Sequence, residues 1–262
     1  LRRGGHDPQK VYTAFKRAVD TKDQPTCLLI KTVKGYGMGT AGEGQNTTHQ
    51  QKKLAEDQLR AMRDRFKIPV SDEDLPKAPF VTLNNAQKAY LADRRKELGG
   101  DFPKRTTDAP KLTLPTLDAF KRQLQGSGER EISTTMGFVQ IMTTLLRDKN
   151  IGKNVVPIVP DESRTFGMEG LFRSIGIYNP KGQQYTPEDR EQMSYYKESE
   201  TGQVLQEGIN EAGAMADFIA AATAYSTHGV SMIPFYIYYS MFGFQRIGDL
   251  AWAAGDSRAR GF

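Results

Sequence analysis

Residues 203–250 constrain the fold of this chain more than any other stretch. A short apolar run, QVLQ, leads to a helix-length segment dominated by Ala and Gly, NEAGAMADFIAAATAYST. The β-forming run MIPFYIYY and a further helical segment, FGFQRIGDLAWAA, follow. Strand, helix, strand and helix in alternation call for a mostly parallel sheet, because parallel neighbours need a long crossover, usually a helix, between them. Glu211 stands where the first strand passes into the helix, and the next strand ends in Tyr238, Tyr239 and, just beyond, Phe242. A carboxylate beside aromatic rings suits a flat heterocyclic cofactor that carries the chemistry while the protein positions and polarises it.

The same alternation extends backwards. Residues 131–149 read as a helix and NVVPIVP at 154–160 as a strand, followed by a loop with short helices and an acidic, tyrosine-containing segment at 186–200. The expected elements then run strand 203–206, helix 210–227, strand 230–239 and helix 243–255. Pro234 within the last strand has no N–H to donate, which predicts an edge or bulged position. In the first half, DPQKVYTAFKRAVDT at 7–21 reads as a helix with Asp7 as N-cap and Pro8 in the first turn. PTCLLIKTVKG at 25–35 reads as a buried parallel strand. A Gly-rich loop at 35–50, a helix at 51–66 and a charged helix at 84–98 follow, then a Pro-, Gly- and Thr-rich linker at about 99–115.

With 262 residues, the chain has room for one large domain or two ordinary ones. Its one cysteine, Cys27, excludes an internal disulfide and points to a reducing compartment, here the cytoplasm. No stretch reaches the roughly 18 uninterrupted apolar residues of a membrane span. The net charge of +5 is scattered among acids (DRRKE, RDRFK) rather than gathered in a stripe, and the expectation is no nucleic acid and no membrane. The chain opens in a loop-like GGHD and stops at ARGF, as a piece of something longer would.

GMGTAG at 37–42 matches GxGxxG, but GEGQNTTHQ follows where a dinucleotide site needs a helix to begin at once. The better reading is a mobile loop that closes over a site, carrying Lys34, Glu43 and His49, with a merely exposed loop as the alternative. His49 can exchange a proton near neutral pH. His6 could approach a cofactor or bond locally, and His228 reads as a turn residue. Asp161 and Glu162 follow a strand's carboxyl end, where open α/β sheets bind ligands, or else cap the next helix. Small residues in helix 210–227 suit a tight domain or subunit interface, or ordinary core packing.

The segments KTVKGYGMG, THQQKKL, RDRFKIPVSDEDL, DESRTFGMEGLFRSIGIY, GQQYTPEDREQ, KESETGQVLQEGINEAGA and MIPFYIYYSMFGFQRIGDLAWAAGDSRARGF together resemble the homodimeric, bacterial-type pyruvate dehydrogenase first component. That family is thiamine-diphosphate-dependent and decarboxylates pyruvate. The likeness covers nearly the whole chain and weakens across about 80–125. It implies an α/β, transketolase-like, parallel-sheet fold comprising parts of two domains. Residues 1–80 would end the diphosphate-binding domain, with the mobile loop at 35–50. Residues 81–125 would link it to a pyrimidine-binding domain at 126–262. The family's Gly-Asp-Gly…Asn segment, which holds magnesium and diphosphate, is expected before residue 1, and a C-terminal domain after residue 262.

Carried over by position, the resemblance implies that Glu211 hydrogen-bonds the ring nitrogen of the cofactor's aminopyrimidine, burial favouring its protonated form. Phe242 would stack on that ring, Tyr239 would line the pocket with Asp161 beside it, and Ile209 would hold the cofactor bent. Lys34 and Glu162 would lie near the bound 2-oxo acid, Lys34 neutralising its carboxylate. His49 would supply a proton during acetylation of the lipoyl group, and Glu43 would ride the same loop. Implied partners are a second copy of the chain, pyruvate and the dihydrolipoyl acetyltransferase component. The alternatives are a catalytically incomplete piece serving dimerisation or docking, or a related thiamine-dependent 2-oxo acid dehydrogenase or transketolase.

Overall fold

The computed structural model describes residues 4–100, 105–161, 163–191 and 196–262, in two compact units divided between residues 97 and 98.

In the first unit, α1 (Pro8–Asp20) starts where Asp7 accepts a bond from the Lys10 N–H at 3.1 Å, with Pro8 at the first position. α2 (Glu56–Phe66) begins five residues later than its sequence pattern predicts. The Gln58 side chain reaches back to the Ala55 N–H at 2.9 Å and marks the start there, and Glu56 and Asp57 complement the helix dipole. α3 (Asn85–Glu97) matches the charged helix. The expected strand at 25–35 does not form. Residues 25–33 join no ladder and the chain turns at 34–35; Leu29 is 94% exposed, and Cys27 is exposed as well. A parallel strand needs neighbours to satisfy its ladder and cover its faces, and no strand lies among the described residues of this unit.

The second unit is the α/β layer. After the short α4 (Lys121–Leu124), α5 (Thr134–Leu146) is capped by Ser133, whose hydroxyl accepts from the Met136 N–H at 3.1 Å. β1 (Val155–Val159) follows, then α6 (Glu169–Ser174), β2 (Ile177–Tyr178), β3 (Glu198–Ser199), β4 (Leu205–Gln206), α7 (Glu211–Thr227), β5 (Ile233–Tyr236) and α8 (Ser240–Asp256). The main sheet is parallel in the order β4-β1-β5, with Ile158 paired to both Leu205 and Tyr236.

Every residue of β1 is buried, because helices cover both faces of the sheet. Val155 and Val159 join Val139, Met142 and Leu146 of α5 on one side. Val156 and Ile158 join Ala214, Met215 and Phe218 of α7 and Ile247 of α8 on the other. Alternate side chains therefore serve two cores, and each fully buried one contributes about 1.5–3 kcal/mol. Core packing within the unit takes up Ala214 and Ala222, whereas Ala212, Ala216 and Ala220 of α7 face outward.

β5 is an edge strand and covers only part of the expected 230–239. Pro234 therefore keeps a place where its missing donor is tolerated. On that edge Phe262 donates from its N–H to the Pro234 carbonyl at 3.0 Å, and the Tyr236 N–H donates to the Phe262 carbonyl at 2.9 Å. The acidic segment contributes β3, which the sequence pattern did not predict. Glu198 accepts from the hydroxyls of Tyr185 and Tyr196, both at 2.9 Å, and from the Asn179 side chain at 2.6 Å. Burial, then the bonds to Tyr185 and Glu198, pushes the Tyr196 phenol far above its ordinary range.

Candidate functional site

The carboxyl ends of β1 and β4 and the starts of α7 and α8 converge on one cavity of about 200 Å³. Asp161, Phe166, Ile209, Glu211, Tyr239, Phe242 and Arg246 line it, with Pro160 and Tyr238. Six residues singled out in the sequence, Asp161, Ile209, Glu211, Tyr238, Tyr239 and Phe242, thus meet around one space. Crevices outside the carboxyl ends of parallel strands are where open α/β sheets bind ligands.

Glu211 is the first residue of α7, placed by Asn210, whose side chain caps the helix on the Gly213 N–H at 3.0 Å. Its carboxylate is 13% exposed and forms an ion pair with Arg246 of α8. The Arg246 guanidinium also lies 5.4 Å from the Phe242 ring centroid. Phe242 meets Tyr239 edge-on at 6.4 Å, and Tyr239 packs against Phe166 at 5.1 Å. Behind Glu211, the Tyr236 hydroxyl donates to the Glu211 carbonyl at 3.3 Å. Burial pushes the Tyr236 phenol up to about 12, with Glu211 and Tyr238 adding to it.

Two features escaped the sequence reading. Arg246 lies four residues after Phe242, a spacing that puts both on one face of a helix, and that signal was available. The other is Ser163, 1% exposed, whose hydroxyl donates to the Gln206 side-chain oxygen at 2.6 Å. This bond ties the turn after β1 to β4, and no local pattern announces it. Asp161 does not cap the next helix, because Met168 occupies the N-cap of α6. Glu162 lies outside the described residues.

In the other unit, Lys34, Glu43 and His49 share the loop at 35–50 or its base. Lys34 Nζ lies 3.0 Å from His49 Nδ1. Glu43 is bound by Arg65 at 2.5 Å, and the Arg65 guanidinium holds its carboxyl below the usual range. His6 takes the local alternative, accepting from the Val33 N–H at 2.7 Å and stacking on Tyr36 at 3.8 Å. His228 is the C-cap of α7. Among the described residues, no group of three or more His, Cys, Asp or Glu side chains could hold a metal ion, and no helix is long and apolar enough to cross a membrane.

A parallel sheet covered on both faces, with a crevice beyond the carboxyl ends of its strands, places this unit among the open α/β folds. The transketolase of Campylobacter jejuni aligns with 98% of this chain and 35% of its own at a TM-score of 0.56, with 17% identity. Residues 112–262 match the family model described as the pyruvate dehydrogenase E1 component middle domain, and the chain belongs to that family. Over its whole length it is 62% identical to the pyruvate dehydrogenase E1 component of Cupriavidus necator, 57% to that of Escherichia coli K12 and 53% to that of Mycobacterium tuberculosis. It spans about three-tenths of the length of each of these relatives.

Proposed function

We propose that, within the intact polypeptide, this chain serves a thiamine-diphosphate-dependent pyruvate dehydrogenase that decarboxylates pyruvate and passes the acetyl group to the lipoyl arm of an acyltransferase component. The observation that carries this reading is the meeting of Glu211, Tyr239 and Phe242 around one cavity. A flat aminopyrimidine fits such a site: aromatic side chains offer it faces and edges, and a single carboxylate can hold a ring nitrogen. When bound, thiamine diphosphate supplies the electron sink that a 2-oxo acid needs in order to lose carbon dioxide.

The chain's own residues would then divide the work. Glu211 holds and shares a proton at the pyrimidine nitrogen, with Arg246 balancing its charge. Phe242 would offer its ring to the pyrimidine, with Tyr239, Asp161 and Ile209 lining the same pocket. Lys34 would neutralise the substrate carboxylate, Glu162 is a further residue assigned to the 2-oxo acid, and His49 would donate a proton as the lipoyl group is acetylated. Magnesium and the diphosphate are assigned to residues elsewhere in the polypeptide. Residues 1–80 would belong to a diphosphate-binding domain, 81–125 to a linker and 126–262 to a pyrimidine-binding domain. The working state would be a cytoplasmic homodimer.

The test is direct. Intact protein supplied with thiamine diphosphate, magnesium, pyruvate and a lipoyl domain should release carbon dioxide and acetylate the lipoyl group. Glu211→Gln should lower both about 10²–10⁴-fold. Full turnover in that variant, or turnover of another 2-oxo acid in place of pyruvate, overturns the reading.

A further inference from the structure

The loop at 35–50 is largely closed on itself. The Gly44 N–H donates to the Lys34 carbonyl at 2.8 Å, the Met38 N–H to the Gly35 carbonyl at 3.0 Å, and the Thr48 hydroxyl to the Gly42 carbonyl. Gly37 sits at φ +97°, in the left-handed region. These bonds shape the loop but do not attach it to the body of its unit. Lys34 and His49, at its two ends, meet at 3.0 Å, Nζ to Nδ1.

Attachment comes from the last turn of α2. The Arg65 guanidinium meets Glu43 Oε2 at 2.5 Å, and the same oxygen accepts the Gly37 N–H at 3.2 Å. Arg65 also lies 5.0 Å from the centroid of the Tyr36 ring. One side chain therefore grips the loop at two points seven residues apart. Its neighbour Phe66 meets Tyr36 edge-on at 5.9 Å and occupies the space next to Gly37, where an added Cβ would come within 2.5 Å of the ring. Tyr36 is in turn stacked on His6.

We infer that Arg65 is a positioning residue for the loop. Through Glu43 and Tyr36 it holds Lys34 and His49 together, and Glu43 is the loop's anchor rather than a group turned toward substrate. The consequence for catalysis rests on the proposed function; the anchoring itself does not. Two features of Arg65 fit this role and not that of a mere charge at a helix end. Its planar fork can bond a carboxylate while its flat face covers an aromatic ring, which a lysine ammonium cannot do together. A cation in the last turn of α2 would favour the helix dipole as either Arg or Lys.

The experiment is hydrogen exchange, read by mass spectrometry across residues 35–50 of the intact protein. Four forms are compared: wild type, Arg65→Ala, Arg65→Lys, and the exchanged pair Arg65→Glu with Glu43→Arg. Loss of one charge-assisted contact should speed loop exchange about 10-fold in Arg65→Ala and less in Arg65→Lys, leaving α1 and α3 unchanged, as local opening predicts. The exchanged pair should recover much of the protection. Lipoyl acetylation should fall in parallel with the gain in exchange. If Arg65→Ala fails to fold, Arg65→Lys and Glu43→Gln read the same contact from its two sides. Unchanged loop exchange in these variants overturns the anchor, whatever the activity. Faster exchange in a protein that never turns over pyruvate keeps the anchor and removes the proposed function instead.

Discussion

Arg246 closes on Glu211 across the mouth of the cavity, so that the first residue of α7 and the second turn of α8 are joined by opposite charges. The Arg246 side chain is 49% exposed, and water screens much of the attraction. Arg246→Met should therefore cost about 1 kcal/mol or less, lowering Tm by about 2–4 °C for a unit of this size. Arg246→Lys should lower it less. Differential scanning fluorimetry of the intact protein checks both, and an unchanged Tm in the methionine variant would show the pair to be energetically idle.

Glu211→Gln keeps the shape of the side chain and removes its ability to exchange a proton. Pyruvate decarboxylation should drop about 10²–10⁴-fold, the usual reach of general acid–base catalysis. The unfolding temperature should move little. Steady-state carbon dioxide release, measured at saturating thiamine diphosphate, separates loss of chemistry from loss of cofactor.

His49→Ala should separate two half-reactions. Acetylation of the lipoyl domain should fall by about 10²-fold or more, while oxidation of pyruvate with an artificial electron acceptor stays within a few-fold of wild type. Equal loss in both assays would rule out the late role assigned to this histidine.

Asp217, half-buried on α7, offers a pH test. Burial, reinforced by Glu207, pushes its carboxyl up to about 6. The folded protein thus holds a proton that an unfolded aspartate releases near 3.9, so stability falls as pH rises from about 4 to about 6. Above that range Asp217→Asn should stabilise the protein by about 1 kcal/mol, well short of the full linkage value because solvent screens a half-exposed group, and below pH 4 it should change nothing. Tm measured between pH 4 and pH 8 gives the comparison; a constant offset across that range would contradict the assignment.

Glu43 has the opposite sign. Arg65 holds its carboxyl below the usual range, so the contact is intact above about pH 4.3 and is lost as pH falls through the lowered value. Limited proteolysis with an acid-active protease should find the loop cut sooner as the medium is acidified, and Glu43→Gln should remove that dependence.

Much of the second unit was legible from residue order alone. β1, α7 and α8 carry patterns that persist over many residues, and Asn210 ahead of Glu211 is a local start signal whose partner is three residues away. A carboxylate at a strand-to-helix junction followed by aromatics was likewise visible, because backbone geometry places such groups at one end of a sheet. What the linear order did not contain was everything that depends on a neighbour. The segment at 25–35 has the composition of a buried strand, yet composition cannot provide the ladder partners that make one. Arg246 on Glu211, Ser163 on Gln206 and Arg65 on Glu43 join residues 22 to 43 positions apart. Such pairings depend on how elements pack, and only the tertiary structure decides them. Sequence determined which short elements form and which residues carry reactive groups, since these follow from local backbone preference and side-chain chemistry. Tertiary structure decided which charges meet, because the free energy of a pair depends on distance and burial, which a residue's place in the chain does not specify.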